Sequence, residues 1–263
     1  MKTVGFIGCG NMGGAIAKAV AKKNVSVLLC DKDSKKAELL AKTINAKSVE
    51  LSEITENSDI IFLGVKPQVL MSAIDEINAL NLKKDALIIS MAAGVKIEKI
   101  ANAFNAETKI IRIMPNIPVS VGKGMILYAV NKNVKEDDIN FFLDIMSECG
   151  ELDSIDEKLI DAGSALSGCG PAFVYMFIEA MADGAVASGL TREKAIKYAT
   201  ETLIGSSELL KASGKHPEEL KDSVCSPAGS TIVGVNTLEN GGMRAAVMNA
   251  VIDAYNKTKE LGK

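Results

Sequence analysis

The stretch TVGFIGCGNMGG, residues 3–14, decides how the chain begins to fold. A short apolar, β-branched run leads into Gly8-Cys9-Gly10-Asn11-Met12-Gly13, which has the spacing G-x-G-x-x-G. Each glycine in that spacing has a mechanical reason. The first permits a tight turn, the second lets a pyrophosphate approach the backbone, and the third lets the following helix pack closely on the strand. The helix start then offers unpaired N–H groups and a partial positive charge to the phosphate. Alone the spacing is a weak signal. Here a strand-like run precedes it, a helical pattern over residues 11–22 follows it, and Asp31 closes the next apolar run. An acidic residue in that place accepts hydrogen bonds from the adenosine ribose and repels the 2′-phosphate of NADPH. Lys32, Ser34, Lys35 and Lys36 follow directly and suit a phosphate instead, so these residues leave NADPH or NADH open.

Outward from that loop, apolar runs at residues 25–30, 59–65, 86–90 and 109–114 read as strands buried on both faces. Helical patterns at 34–44, 67–79 and 97–104 lie between them, with Pro67 placed as a first helical residue. Strands alternating with helices imply right-handed crossovers and a parallel sheet. A further strand at 124–130 and a helix at 136–149 complete this half. The expected fold class is therefore α/β: a Rossmann-type, doubly wound, mostly parallel sheet over residues 1–154, followed by an all-α domain over residues 155–263. In the second half, helical segments near 157–166, 171–188, 193–212, 217–224, 230–239 and 243–261 are separated by Gly, Ser and Pro, with Gly189, Gly214 and Gly241 at expected C-terminal caps. Residues 172–182 (AFVYMFIEAMA) are apolar almost all round, and such a helix needs cover on every side. A small helical half offers little of its own, so a homodimer is expected.

Composition narrows the chemistry. The 263 residues carry 30 basic and 33 acidic side chains, and the scattered lysines form no nucleic-acid footprint. The single histidine, His216, excludes any metal site that needs two imidazoles, and it sits before Pro217 as a surface helix entry; no metal is expected. Five cysteines without a C-x-x-C spacing suit a reducing cytosol, and the N-terminus lacks the pattern of a signal peptide, so the expected location is cytoplasmic. Three long stretches carry no charge at all: residues 3–17, 162–178 and 223–238. Each is too short or too broken by Gly, Ser or Pro to be a membrane span. Buried backbone, or backbone that must meet a ligand, accounts for them.

The motifs in these stretches carry a resemblance. Besides the glycine loop, they are Val65-Lys66-Pro67-Gln68, Ser90-Met91-Ala92-Ala93-Gly94, Arg112-Ile113-Met114-Pro115-Asn116-Ile117-Pro118, Leu166-Ser167-Gly168-Cys169-Gly170-Pro171-Ala172 and Ser226-Pro227-Ala228-Gly229-Ser230-Thr231-Ile232. In this order they make the chain resemble pyrroline-5-carboxylate reductase along essentially its whole length. The resemblance implies hydride transfer from NADPH or NADH to the cyclic imine 1-pyrroline-5-carboxylate, giving L-proline. It implies a cofactor site at Gly8, Gly10, Asn11, Met12, Gly13, Asp31, Lys32, Val65, Lys66, Pro67, Ala92, Ala93, Gly94 and Asn116. It further implies a substrate loop at Gly229, Ser230 and Thr231, with Thr231 as the candidate catalytic hydroxyl, and a dimer, or a higher oligomer, through the C-terminal helices. Arg112 is expected to pair locally within the sheet.

Three positions depart from the family pattern: Cys169 and Cys225 where Ser is usual, and Ala228 where Gly is usual. Ala228 matters only if its position needs φ > 0. The family generally favours NADPH, against the direction of Asp31. Two other readings are compatible with the architecture. One is a related two-domain dehydrogenase acting on another imine or a β-hydroxyacid, although none of Lys194, Lys197, Lys211 and Lys221 stands in an apolar, small-residue motif. The other is a non-catalytic dinucleotide sensor, which the presence of the 226–231 loop disfavours.

Overall fold

The computed structural model describes residues 1–261. One eight-stranded sheet organises the first half: β1 (Thr3–Ile7), β2 (Ser26–Cys30), β3 (Lys47–Ser48), β4 (Ile60–Leu63), β5 (Leu87–Ser90), β6 (Lys109–Met114), β7 (Gly124–Val130) and β8 (Gly150–Ser154), in the order β3-β2-β1-β4-β5-β6-β7-β8. All pairings are parallel except β6 with β7. The reversal of strand order falls between β1 and β4, where an open parallel sheet leaves its crevice.

Helices cover both faces. On one face α1 (Asn11–Val20), α2 (Ser34–Ile44) and α6 (Glu136–Met146) bury Ile16, Leu40 and Phe142 against Val4, Phe6 and Ile111. On the other, α3 (Leu51–Asn57), α4 (Pro67–Asn78), α5 (Ile97–Ala103) and α7 (Ile160–Ser167) bury Ile54, Ile74, Ile100 and Ile160 against Ile7, Ile61 and Ile88. Neighbouring strand residues thus feed opposite cores, which is why these runs are apolar without alternation. Each such side chain contributes about 1.5–3 kcal/mol by burial. Phe6 and Phe62 stack with ring centroids 4.6 Å apart and bind β1 to β4 directly beneath the crevice.

The remaining helices are α8 (Gly170–Ala187), α9 (Arg192–Ser213), α10 (Pro217–Ser223), α11 (Ser230–Asn240) and α12 (Met243–Leu261). The chain divides into two compact units: Met1–Cys169, joined by the end of α12 from Ala254 on, and Gly170–Asp253. The second unit is nearly coreless. Among its described residues only Ala182, Ala195 and Ala199 are buried, while Tyr175 and Met176 on α8 are 56% and 69% exposed. The apolar helix that needed cover on every side has little of it within the chain. His216 is the N-cap of α10, its Nδ1 accepting from the Glu218 N–H at 3.3 Å, as a helix entry should. Gly189 and Gly214 take the expected left-handed conformation, with φ of 103° and 63°. Gly241 is the C-cap of α11, as expected; it keeps a right-handed conformation with φ −75°, and the chain reverses one residue later at Gly242, φ 71°.

Candidate functional site

The glycine loop is built by backbone crowding. Gly8 has φ 99°, and a Cβ there would stand 2.7 Å from the Gly64 carbonyl oxygen. Gly64, just beyond β4, would in turn press a Cβ to within 2.6 Å of the Gly8 oxygen. A Cβ on Gly13 would collide with that same Gly8 oxygen. Three glycines therefore meet where β1, β4 and α1 cross. Gly64 went unread in the sequence because it belongs to no local spacing; only the crossing of two strands reveals it. Gly10 is different, since nothing lies within 4 Å of a Cβ built there. It faces open space at the start of α1, whose N-cap receives no side-chain hydrogen bond. This is a free helix N-terminus beside a glycine, the arrangement that receives a pyrophosphate.

Asp31 braces this loop. Its Oδ2 accepts from the Cys9 N–H at 2.7 Å and its Oδ1 from the Asp33 N–H at 2.9 Å. The neighbouring Cys9 thiol is pushed up to about 12, first by burial and then by the Asp31 and Cys30 charges, so it stays protonated and unreactive. From the loop a cleft of about 830 Å³ extends past Asp31 and Lys32 on one side and Gly64, Val65 and Lys66 on the other. That volume is typical of a small-molecule or cofactor site.

The other expected cofactor residues follow the carboxyl ends of β4, β5 and β6. Lys66 and Pro67 form the N-cap and first residue of α4, with the Lys66 side chain exposed. Ala92 is buried beyond β5, its N–H 3.4 Å from the Ser90 hydroxyl; Ala93 is exposed, and Gly94 has φ 73°. Asn116 is largely spoken for: Nδ2 donates to the Ser167 carbonyl and Oδ1 accepts from the Met125 N–H, both at 2.9 Å. It stitches the end of β6 to β7 and to the last turn of α7, leaving one N–H and one lone pair for a ligand.

Arg112, expected to pair within the sheet, instead reaches out of it. Its side chain is 1% exposed, with Nη2 2.8 Å from Asp161 Oδ1 and Nη1 3.3 Å from Glu157 Oε1. The Glu157 oxygen also accepts from the Ile97 N–H at the start of α5, at 2.6 Å. Both carboxylates come after β8, where no local pattern links them to residue 112.

Residues 226–231 form a turn running into α11. The Gly229 N–H donates to the Ser226 carbonyl at 3.0 Å, Pro227 takes the first central position, and Ala228 takes the second with φ 56°. That is a type II pattern, whose second central residue is normally glycine. A Cβ on Gly229 would lie 2.5 Å from the Ser226 hydroxyl, which would have to rotate away, and 3.1 Å from the Ser226 carbonyl oxygen. Gly229 is also the N-cap of α11 and makes no side-chain cap, which leaves the N–H groups of Ser230 and Thr231 available. Ala228→Gly should raise stability by about 0.5–1 kcal/mol, because the methyl group is strained at positive φ. Thermal unfolding checks this, and a fall in Tm would show that the turn tolerates the methyl without strain.

The comparisons with known proteins agree in direction. Residues 157–261 match the profile described as pyrroline-5-carboxylate reductase dimerisation, and residues 3–94 match the one described as NADP oxidoreductase coenzyme F420-dependent. The pyrroline-5-carboxylate reductase of Methanosarcina acetivorans is 40% identical, covering 99% of this chain and 98% of its own length. That of Escherichia coli is likewise 40% identical, over 100% of this chain and 99% of the relative.

The chain belongs to the pyrroline-5-carboxylate reductase family.

A crystal structure from the same family, the Plasmodium falciparum pyrroline carboxylate reductase with NADP bound, matches with a TM-score of 0.89 at 35% identity, covering 100% of this chain and 98% of that one. The Rossmann-type sheet and the helical second half are those of the family. The dimerisation profile also explains the bare helices of the second unit. By length and composition alone, residues 157–187 pass as a membrane-spanning helix. They fall entirely inside the dimerisation profile, so the family gives this apolar surface a protein partner to meet.

Proposed function

We propose that this protein reduces 1-pyrroline-5-carboxylate to L-proline with NADPH or NADH, the last step of proline biosynthesis, as a cytoplasmic homodimer joined through its C-terminal helices. The observation that carries the reading is 40% identity to family members over the full length of the chain, with both the glycine loop and the 226–231 turn present. The nicotinamide, when bound, supplies a hydride to the imine carbon. Everything else falls to the chain. The backbone N–H groups of Gly10, Asn11 and Met12 bind the pyrophosphate, while Gly8 and Gly13 let the backbone come close. Asp31 and Lys32 line the adenosine side, and Val65, Lys66, Pro67, Ala92, Ala93, Gly94 and Asn116 form the wall that orients the nicotinamide.

The turn at Gly229, Ser230 and Thr231 takes the substrate carboxylate on free helix N–H groups. The Thr231 hydroxyl is assigned the hydrogen bond to the ring nitrogen. A protonated imine accepts the hydride while losing its positive charge, so a strong general acid is unnecessary, in keeping with a chain that has one surface histidine. The test is loss of nicotinamide absorbance on adding pyrroline-5-carboxylate to the purified protein with each cofactor in turn; no oxidation of either cofactor would refute the reading. Thr231→Val should lower kcat roughly 10- to 100-fold with a smaller change in KM, and Thr231→Ser should restore most of it. A KM defect alone would confine Thr231 to binding.

A further inference from the structure

We infer that the adenosine end of the cleft selects NADH over NADPH, because it is an anionic pocket in which Asp31 and four glutamates oppose a 2′-phosphate. The inference rests on the reading of this cleft as the dinucleotide site. Five carboxylates line it, those of Asp31, Glu38, Glu50, Glu53 and Glu76, against two cations among the described lining residues, Lys32 and Lys66. Lys32 has an acidic neighbour. Its Nζ stands 3.6 Å from Glu76 Oε1, an exposed pair in which one of the five carboxylates offsets part of its charge. Lys36 Nζ stands 3.8 Å from Asp33 Oδ2, and neither Lys35 nor Lys36 lines the cleft. Two of the three lysines that looked ready for a phosphate in the sequence thus stand beside the protein's own acids.

Asp31 cannot easily step aside. Its two oxygens are held by the N–H groups of Cys9 and Asp33, at 2.7 and 2.9 Å, and the first of these shapes the glycine loop itself. A carboxylate bonded this way keeps lone pairs on both oxygens, so it still accepts from the two hydroxyls of an unmodified ribose. A phosphate in the same place brings up to two further negative charges against a fixed anion. The Cys30 thiol, which also lines the cleft, is raised first by burial and then by the nearby charges of Glu50, Asp31 and Glu76. Other dinucleotide enzymes with a basic patch here would pull the phosphate in; this one pushes it out.

The experiment is a binding titration of the full-length protein with NADH and NADPH, followed by nicotinamide fluorescence, and a parallel calorimetric titration with adenosine 5′-monophosphate and adenosine 2′,5′-bisphosphate. NADH is expected to bind about 10- to 100-fold more tightly than NADPH, and the monophosphate more tightly than the bisphosphate, with the gap narrowing as salt screens the carboxylates. Asp31→Ser should shift the ratio toward NADPH. Glu50→Gln combined with Glu76→Gln should shift it too while leaving the loop brace intact, which separates charge from damage to the glycine loop. Equal or tighter binding of NADPH by the unmodified protein overturns the inference, and an unchanged ratio in both variants overturns its cause. Binding of neither dinucleotide would overturn the reading of the cleft, and this inference with it.

Discussion

Gly13→Ala should abolish measurable cofactor binding and unfold at a distinctly lower temperature than the unmodified protein. The added Cβ would strike the carbonyl oxygen of Gly8, and that oxygen belongs to backbone which is itself pressed against Gly64. A flexible side chain can rotate out of a clash, whereas this crossing has no such freedom. Helix α1 must therefore lift from β1, and its first N–H groups would leave the position proposed for meeting a phosphate. A displacement of this kind costs two orders of magnitude or so in function even where the contacts survive. Gly10→Ala supplies the contrast, since a Cβ there meets nothing within the protein. It should leave Tm nearly unchanged and still weaken NADH binding roughly 10-fold or more, because the methyl group enters the space a pyrophosphate needs. Dinucleotide titrations and thermal unfolding on both variants decide the matter. Wild-type affinity in Gly10→Ala would show that the ligand does not approach that face.

Arg112→Met should destabilise the protein by about 2–4 kcal/mol, lowering Tm by roughly 5–15 °C. The arginine is fully enclosed, and its two partners arrive from the segment that follows the sheet. Removing it leaves Glu157 and Asp161 facing each other without a counter-charge. The lower end of the range reflects their partial exposure, which lets water soften the loss. Asp161→Asn should cost less than Arg112→Met, since Glu157 still pairs with the guanidinium. The double variant should cost less than the sum, because the second change removes a group already stranded by the first. Chemical denaturation of the three variants tests this; strict additivity would mean that the two side chains are not coupled. The Arg112 Nε makes no hydrogen bond among the described residues, so the network is not perfectly satisfied. Its value lies in tying α5, β6 and α7 together at one place, as much as in stability.

The sheet was legible because its strands bury both faces. Runs such as residues 109–114 and 124–130 need no partner to be recognised, and they are β6 and β7 residue for residue. The short edge strand β3 and helix α3 were not read, since Lys47-Ser48 is exposed and two residues carry no periodicity. Nor was β8, whose sequence GELDS lies on the far edge with little buried. The antiparallel turn of β7 depends on pairing alone and leaves no trace in the strand's own residues.

The candidate site divides in the same way. Gly8, Gly10 and Gly13 announced themselves through spacing, and the turn before α11 through Ser, Pro and Gly. Features made by distant segments stayed hidden: Gly64 under Gly8, the bonds that occupy Asn116, and the carboxylates that claim Arg112 and Lys32. The question left open by Ala228 had a structural answer, for its φ of 56° is the conformation in which the missing glycine matters.

The bare second unit has a consequence for how the protein comes into being. A segment with three buried alanines among its described residues buries little of its own, so in the proposed dimer much of its free energy would come from an encounter with another chain. Its folding would then be a bimolecular event. Below some protein concentration the helices should loosen while the sheet persists, giving a melting curve whose earlier phase moves to lower temperature on dilution. For the cell, the amount of working enzyme would rise more steeply than the amount of chain synthesised, and a lone copy would be a substrate for proteases before it is a catalyst.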